Sequence, residues 1–318
     1  MENLLAAWRE FLPGKRQKAD VQAFGHRLMD NVLSLHAELA AGAYRHGPYT
    51  HFRISDPKPR DIHKATVRDR LVHHAIFRIL YPFFRRSFIA DSFSCQEGKG
   101  THRALQRFQT FGRQVSRNTT RTCWVLKGDI RKFFASIDHA SLLRLLGERI
   151  PDARILALLQ EVIQSFSWTP NTGLPLGNLT SQLFVNVYLT PFDQFVKHRL
   201  RVQHYVRYAD DFAMLSADRE WLQSLVSIIQ NFLQVNLRVD LHPRKVSIRT
   251  LASGVDFLGW VHFPTHRVLR TATKRRMFNR LADHPAAATV QSYLGLLTHG
   301  NAKKLQAQVR QQAGLWRS

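Results

Sequence analysis

Cysteine is nearly missing from this chain. Among 318 residues there are two, Cys95 and Cys123, with no Cys-x-x-Cys and no paired spacing to the histidines. That excludes a disulfide framework and a thiolate zinc site, and it fits a reducing, cytoplasmic setting. Long apolar runs are missing too, so no stretch has the ~20 residues a membrane span needs. The start, Met1 to Trp8, carries an acid at Glu2 and lacks the apolar core of a secretory leader. Neither a lipidation motif nor a basic amphipathic anchor is present, so no membrane partner is expected. Acids are scarce: Asp plus Glu is 23 against 46 Lys plus Arg, a formal charge of +23. Such an excess favours a polyanionic partner through counterion release, which makes nucleic acid the first expectation. Repeats and low-complexity tails are absent, and the length suits one large domain or two small ones.

The most informative stretch is Tyr208-Ala209-Asp210-Asp211, set inside His204 to Leu215. Apolar residues up to Tyr208 and again from Phe212 read as two short strands, with Ala209-Asp210-Asp211 at the turn. Two acids lifted out of an apolar hairpin are costly unless a cation meets them. A matching acid lies upstream, because Trp124 to Leu126 reads as a strand and Asp129 falls at its end. If the two segments are neighbours in one sheet, Asp129 and Asp210 converge. Carboxylates gathered at one point suit Mg²⁺, and two such ions about 3.5–4 Å apart form a clamp for in-line phosphoryl displacement.

In order along the chain come an acid at a strand end with Phe133-Phe134-x-Ser136-Ile137-Asp138, then Gly177-Asn178-Leu179-Thr180-Ser181-Gln182, then Tyr208-Ala209-Asp210-Asp211. This series resembles the reverse transcriptases, and among them the bacterial and phage enzymes of diversity-generating retroelements. The likeness runs from about Asn3 to Leu305. It implies an α+β right-hand polymerase fold with fingers, a palm built on an antiparallel sheet, and a short helical thumb. The implied boundaries are an N-terminal helical extension of the fingers over 1–50 and fingers over 51–122. The palm follows over 123–264, with a fingers part around 150–180, and the thumb over 265–318.

The resemblance also assigns roles. Asp129 and Asp210 would ligate two Mg²⁺ ions with help from Asp211, and the backbone carbonyl of Ile130 would complete one shell. Lys245 resembles a lysine that protonates the departing pyrophosphate, with an exposed structural lysine as the alternative. Arg70 and Lys99, and more weakly Arg60, would hold the incoming triphosphate; Lys99 lies in a Gly98-Lys99-Gly100 loop that lacks Walker spacing. Phe134, five residues past Asp129, would be the aromatic gate against the sugar 2′ position, while Phe133 is assigned to the core. Gln182 belongs with the dNTP site, and Gly177, Asn178, Ser181 and Gly259 with template and primer. Leu176 and Gln182 depart from the retroviral pattern and match the retroelement type, in which this loop is associated with error-prone copying of template adenines.

Coarse periodicity fills in the rest. Leu5, Trp8 and Phe11 form one stripe, and Val21 to Leu39 reads as one helix. Lys58-Pro59-Arg60 reads as a turn between strands, His63 to Phe84 as a helix, and a further helix starts at Thr101. Asp138 reads as an N-cap, Thr180 to about His198 as a helix, and Glu220 to Leu233 as an amphipathic helix with Ile228 on its apolar face. Gly254 to Trp260 reads as a hairpin, followed by basic helices around Phe278 and Val290 with a break at Pro285. No room is expected for an RNase H, HNH or extended maturase region. Expected partners are an RNA template, a DNA or RNA primer, dNTPs, a noncoding or template-repeat RNA, and a small accessory protein. Two alternatives stand beside the retroelement reading: a defence-associated antiphage reverse transcriptase with a dedicated noncoding RNA, and a non-catalytic, maturase-like RNA scaffold.

Overall fold

The computed structural model describes residues 1–55, 59–284 and 286–315. The turn residue Lys58 and the expected break at Pro285 lie outside them. The chain forms two compact units, each drawn from three stretches of sequence: 1–90, 130–200 and 230–242 in the first, 91–129, 201–229 and 243–318 in the second. Among the described residues no helix is long and apolar enough to cross a membrane.

The first unit is mainly helical. Helix Glu2–Phe11 buries Leu4, Ala7, Trp8 and Phe11. Leu5, expected in that stripe, is only half-buried. The single helix expected over Val21 to Leu39 is two, Ala19–His26 and Leu28–Ala40, because Arg27 leaves helical geometry at φ −119° and ψ 40°. Asn31 Nδ2 donates to the carbonyl of Phe24 at 2.9 Å, satisfying a group the break sets free. Strands β1 (Thr50–Ile54) and β2 (Arg60–Lys64) pair antiparallel, with His51 opposite His63. His63 is therefore a strand residue, not the start of a helix. The helix begins at Val67, where Thr66 Oγ1 accepts the Asp69 amide.

A buried polar chain joins helix Val67–Arg85 to helix Leu179–Gln194. His46 Nδ1 faces the Gly47 carbonyl at 2.6 Å, His46 Nε2 faces His73 Nε2 at 3.0 Å, and His73 Nδ1 faces Thr180 Oγ1 at 2.7 Å. A carbonyl can only accept, so His46 Nδ1 carries a proton and donates to Gly47. Burial together with His46 pulls the His73 pKa down to about 3, so the His73 ring is neutral. Helices Phe133–Ser136, His139–Gly147 and Ala153–Gln164 complete this unit, the latter two capped by Asp138 and Asp152. Phe133 is core, as expected. Helix Leu179–Gln194 widens into a π turn at Phe195–Arg199.

The second unit holds the larger sheet. Strands β3 (Trp124–Asp129), β4 (Tyr205–Tyr208), β5 (Asp211–Ser216) and β6 (Ser247–Thr250) lie in the order β4-β5-β3-β6, all antiparallel. A second sheet joins β7 (Val255–Phe257), β8 (Trp260–His262) and β9 (Arg267–Leu269), the last of which has no clear sequence signal. Helices Thr101–Val115, Thr271–Asp283, Ala287–Leu297 and Lys303–Leu315 pack one apolar core with these strands through Phe108, Phe257, Trp260, Met277 and Leu297. Helix Arg219–Leu237 starts here, and its Ile228, expected on the buried face, is 43% exposed.

Candidate active site

Register decides where the acids meet. In the β3–β5 ladder Gly128 faces Phe212, and Asp129 faces Asp211. Gly128 matters sterically: a Cβ there would lie 2.2 Å from Phe212 Cζ, so the tip of the ring occupies the space a side chain at 128 would need. Asp211 is the first residue of β5 rather than a turn residue, and Tyr208 faces it from β4. The turn itself is Ala209-Asp210. Ala209 has φ +53°, a left-handed conformation that alanine adopts only under constraint.

The constraint comes from Arg207. This side chain is fully buried, and its Nη1 donates to the Ala209 carbonyl at 3.0 Å. Sequence reasoning missed it, since an arginine beside an acidic turn reads as a surface charge. Arg207 also has its amide bonded to the Asp91 carbonyl, and the Asp91 carboxylate takes Arg107 Nε at 2.6 Å.

The three carboxylates crowd one another. Asp129 is 5% exposed and receives Lys245 Nζ on both oxygens, at 2.8 and 2.9 Å. Lys127 Nζ stands 3.8 Å from Asp211. Burial, then the charges of Asp129 and Asp211, push the Asp210 pKa up to about 6. Burial raises Asp211 as well, against the pull of Lys127. Like-charged groups on facing positions of a ladder destabilise it. Among the described residues no three His, Cys, Asp or Glu side chains stand as a ready metal cage. The donor chemistry nevertheless fits a hard divalent cation: every donor is a carboxylate oxygen, the negative charge is under-compensated, and a lysine ammonium already sits on Asp129.

The other expected site residues fall on several elements of the two units. Ile130 follows Asp129 directly and bridges to Leu241. Lys99 Nζ donates to the Ser92 carbonyl at 2.7 Å and lies over the Phe93 ring. Gly259 forms the β7–β8 turn with Leu258, at φ +85° and +50°. Arg70, in the first unit, is held by Asp20 at 2.7 Å and packs on Phe11. Arg60 opens β2 and is exposed. Phe134 is half-buried beside Phe133. In the Gly177 loop, Asn178 and Ser181 are buried, Asn178 Nδ2 donating to the His63 carbonyl, so Gly177 and Gln182 are what this stretch exposes.

Comparisons with known proteins point to one family. The reverse transcriptase (RNA-dependent DNA polymerase) family profile matches residues 55–262. YkfC of Escherichia coli K12 is 24% identical over 288 residues, covering 78% of this chain and 74% of YkfC. The group II intron-encoded protein LtrA of Lactococcus lactis subsp. cremoris is 22% identical over 318 residues, and this chain spans about half of it, 51%. Among solved structures, apo telomerase from Candida tropicalis, truncated from its C-terminal domain, superposes with TM-score 0.51 at 11% identity, covering 76% of this chain and 60% of that one. Candida albicans telomerase, bound to a fragment of telomeric RNA, gives 0.52 at 11% identity, covering 75% and 49%. The fold is thus the right-hand polymerase fold. With a profile match across most of the chain, and with Asp129 and the Tyr208–Asp211 hairpin on one sheet, the chain belongs to the reverse transcriptase (RNA-dependent DNA polymerase) family.

Proposed function

We propose that this chain is an RNA-directed DNA polymerase that copies an RNA template into cDNA, serving a diversity-generating retroelement. One observation carries the catalytic reading: Asp129 and Asp211 face each other across β3 and β5, with Asp210 at the adjoining turn. Asp129, Asp210 and Asp211, with the Ile130 carbonyl, would hold two Mg²⁺ ions. Bound there, the ions would supply Lewis-acid activation of the primer hydroxyl and neutralise charge on the triphosphate. Lys245 Nζ serves as proton donor to the pyrophosphate oxygen that leaves, and its contact with Asp129 holds it at the site until substrate arrives. Lys99 and Arg70 bind the triphosphate, Phe134 excludes a 2′-hydroxyl, and Gln182 contacts the nucleotide. The exposed backbone at Gly177 passes the template, and Gly259 passes the primer.

In this reading the fingers, with their helical extension, span 1–122 and a part near 150–180, the palm 123–264 and the thumb 265–318. The retroelement assignment rests on the sequence Leu176-Gly177 followed by Ser181-Gln182. The excess of 46 cations over 23 acids suits an extended RNA partner. Purified protein given primed RNA, dNTPs and Mg²⁺ extends the primer, and Asp210→Ala abolishes extension. Failure of the wild type on every primed template overturns the proposal.

A further inference from the structure

Tryptophan usually hides most of its surface, yet Trp168 is 45% exposed in the first unit. Its mounting is rigid. The Trp168 amide donates to the Thr172 carbonyl at 2.9 Å, and the Thr172 amide returns to Thr169 at 2.9 Å, closing a tight bracket. Gly173, at φ +101°, lies beneath the indole; a Cβ there would come within 2.7 Å of Trp168 Cδ1. The indole meets Phe166 and His63 edge-on, at centroid distances of 5.9 and 5.6 Å. His63 packs on Phe166 at 4.5 Å and on His51 at 5.0 Å, and the His51 side chain is 55% exposed. Trp168, Phe166 and His63 therefore form one mutually touching cluster that His63 extends to His51, with exposed rings at Trp168 and His51.

Position and charge say what this cluster could meet. His63 is clamped to the Gly177 loop on both sides: its amide donates to the Leu176 carbonyl, and its carbonyl accepts from Asn178 Nδ2. Exposed Arg53 and Arg60 stand on the same hairpin. Burial and the neighbouring His51 hold His63 below its usual pKa, so its ring is neutral at physiological pH. Rigidly mounted, exposed rings, with Arg53 on the hairpin face that carries His51 and His63 and with Asp61 paired to His51, are the elements of a stacking platform for unpaired bases. An apolar protein groove would lack the arginines, and a duplex would offer no free base faces.

We propose that Trp168, backed by Phe166 and His63, stacks an unpaired nucleobase of single-stranded RNA beside the Gly177 loop. This rests on the RNA-binding reading above and adds a site to it. The test measures binding of fluorescein-labelled single-stranded oligouridylate and of an RNA duplex of equal length, in wild type, Trp168→Ala and Trp168→Phe. Trp168→Ala weakens the single strand by about 5- to 100-fold and leaves the duplex unchanged, the range expected for one lost stacked base. Trp168→Phe keeps a ring and stays within about threefold of wild type. Irradiation of a 5-iodouridine strand cross-links it to the peptide containing Trp168. Wild-type affinity of Trp168→Ala for the single strand, or an equal loss for both RNAs, overturns the platform alone. A wild type that binds neither RNA overturns the RNA-binding reading, and the platform with it.

Discussion

Asp210→Asn should stabilise the metal-free protein while destroying its activity. Burial and two neighbouring carboxylates raise the Asp210 pKa from 3.8 to about 6. Because the folded pKa is the higher one, the native state keeps its proton between those values while the unfolded chain has lost it. Stability from this group is therefore intact below pH 3.8 and is lost as pH rises through 6. Two pKa units at ~1.36 kcal/mol each put the full penalty near ~3 kcal/mol, fully developed by pH 8 and roughly half-developed at pH 5. Residual solvent access at this half-buried side chain lowers that figure, leaving about 1–3 kcal/mol. At roughly 2–4 °C per kcal/mol, Asp210→Asn should melt several degrees above wild type in EDTA at pH 8, with a smaller gain at pH 5. Scanning calorimetry across that range measures it. A variant that melts at or below wild type at pH 8, or whose gain grows toward pH 5, refutes the claim that the acids repel one another.

Three further perturbations probe the scaffold. His73 and His262, both held near a pKa of about 3 by burial, stay neutral in the fold while the unfolded chain takes up protons below 6.5. Urea unfolding should thus show a loss on the order of 2–4 kcal/mol between pH 6.5 and 5, and a flat profile would contradict it. Gly128→Ala drives a methyl into the Phe212 ring, which should cost about 1–3 kcal/mol and shift the strand pairing that aligns Asp129 with Asp211. Denaturation and primer extension would both fall; full activity would show that the ring does not set the register. Arg207→Lys keeps the charge but loses the guanidinium contact to Ala209, so extension should slow on the order of 10- to 100-fold. An unchanged rate would free the turn from Arg207.

How much of this is legible in sequence depends on the range of the interaction. The β3 strand and the hairpin around Asp210 announce themselves, because alternating apolar residues and adjacent acids are local signals. Asp138 likewise declares itself as a cap. What the sequence hides is long-range. Arg70 and Lys99 look free until Asp20 and the Ser92 carbonyl are brought to them by the fold. Arg207 looks solvated until the core closes over it. Asn178 and Ser181 look like loop residues offered to a template, yet their side chains turn inward. The break at Arg27 arises where the helical pattern continues but the backbone does not, and β9 is too short for periodicity to reveal. The pairing of Lys245 with Asp129, 116 residues apart, is likewise set by topology alone.

In the proposed mechanism the three acids share bound divalent cations. Replacing Mg²⁺ by Fe²⁺ in the presence of ascorbate and peroxide generates short-lived radicals that cut the backbone beside the ion. Two cuts are expected, one next to residue 129 and one next to residues 210–211, both suppressed by excess Mg²⁺ and both lost in Asp210→Ala. A cut at only one of the two places, or cuts that Mg²⁺ does not suppress, would contradict it.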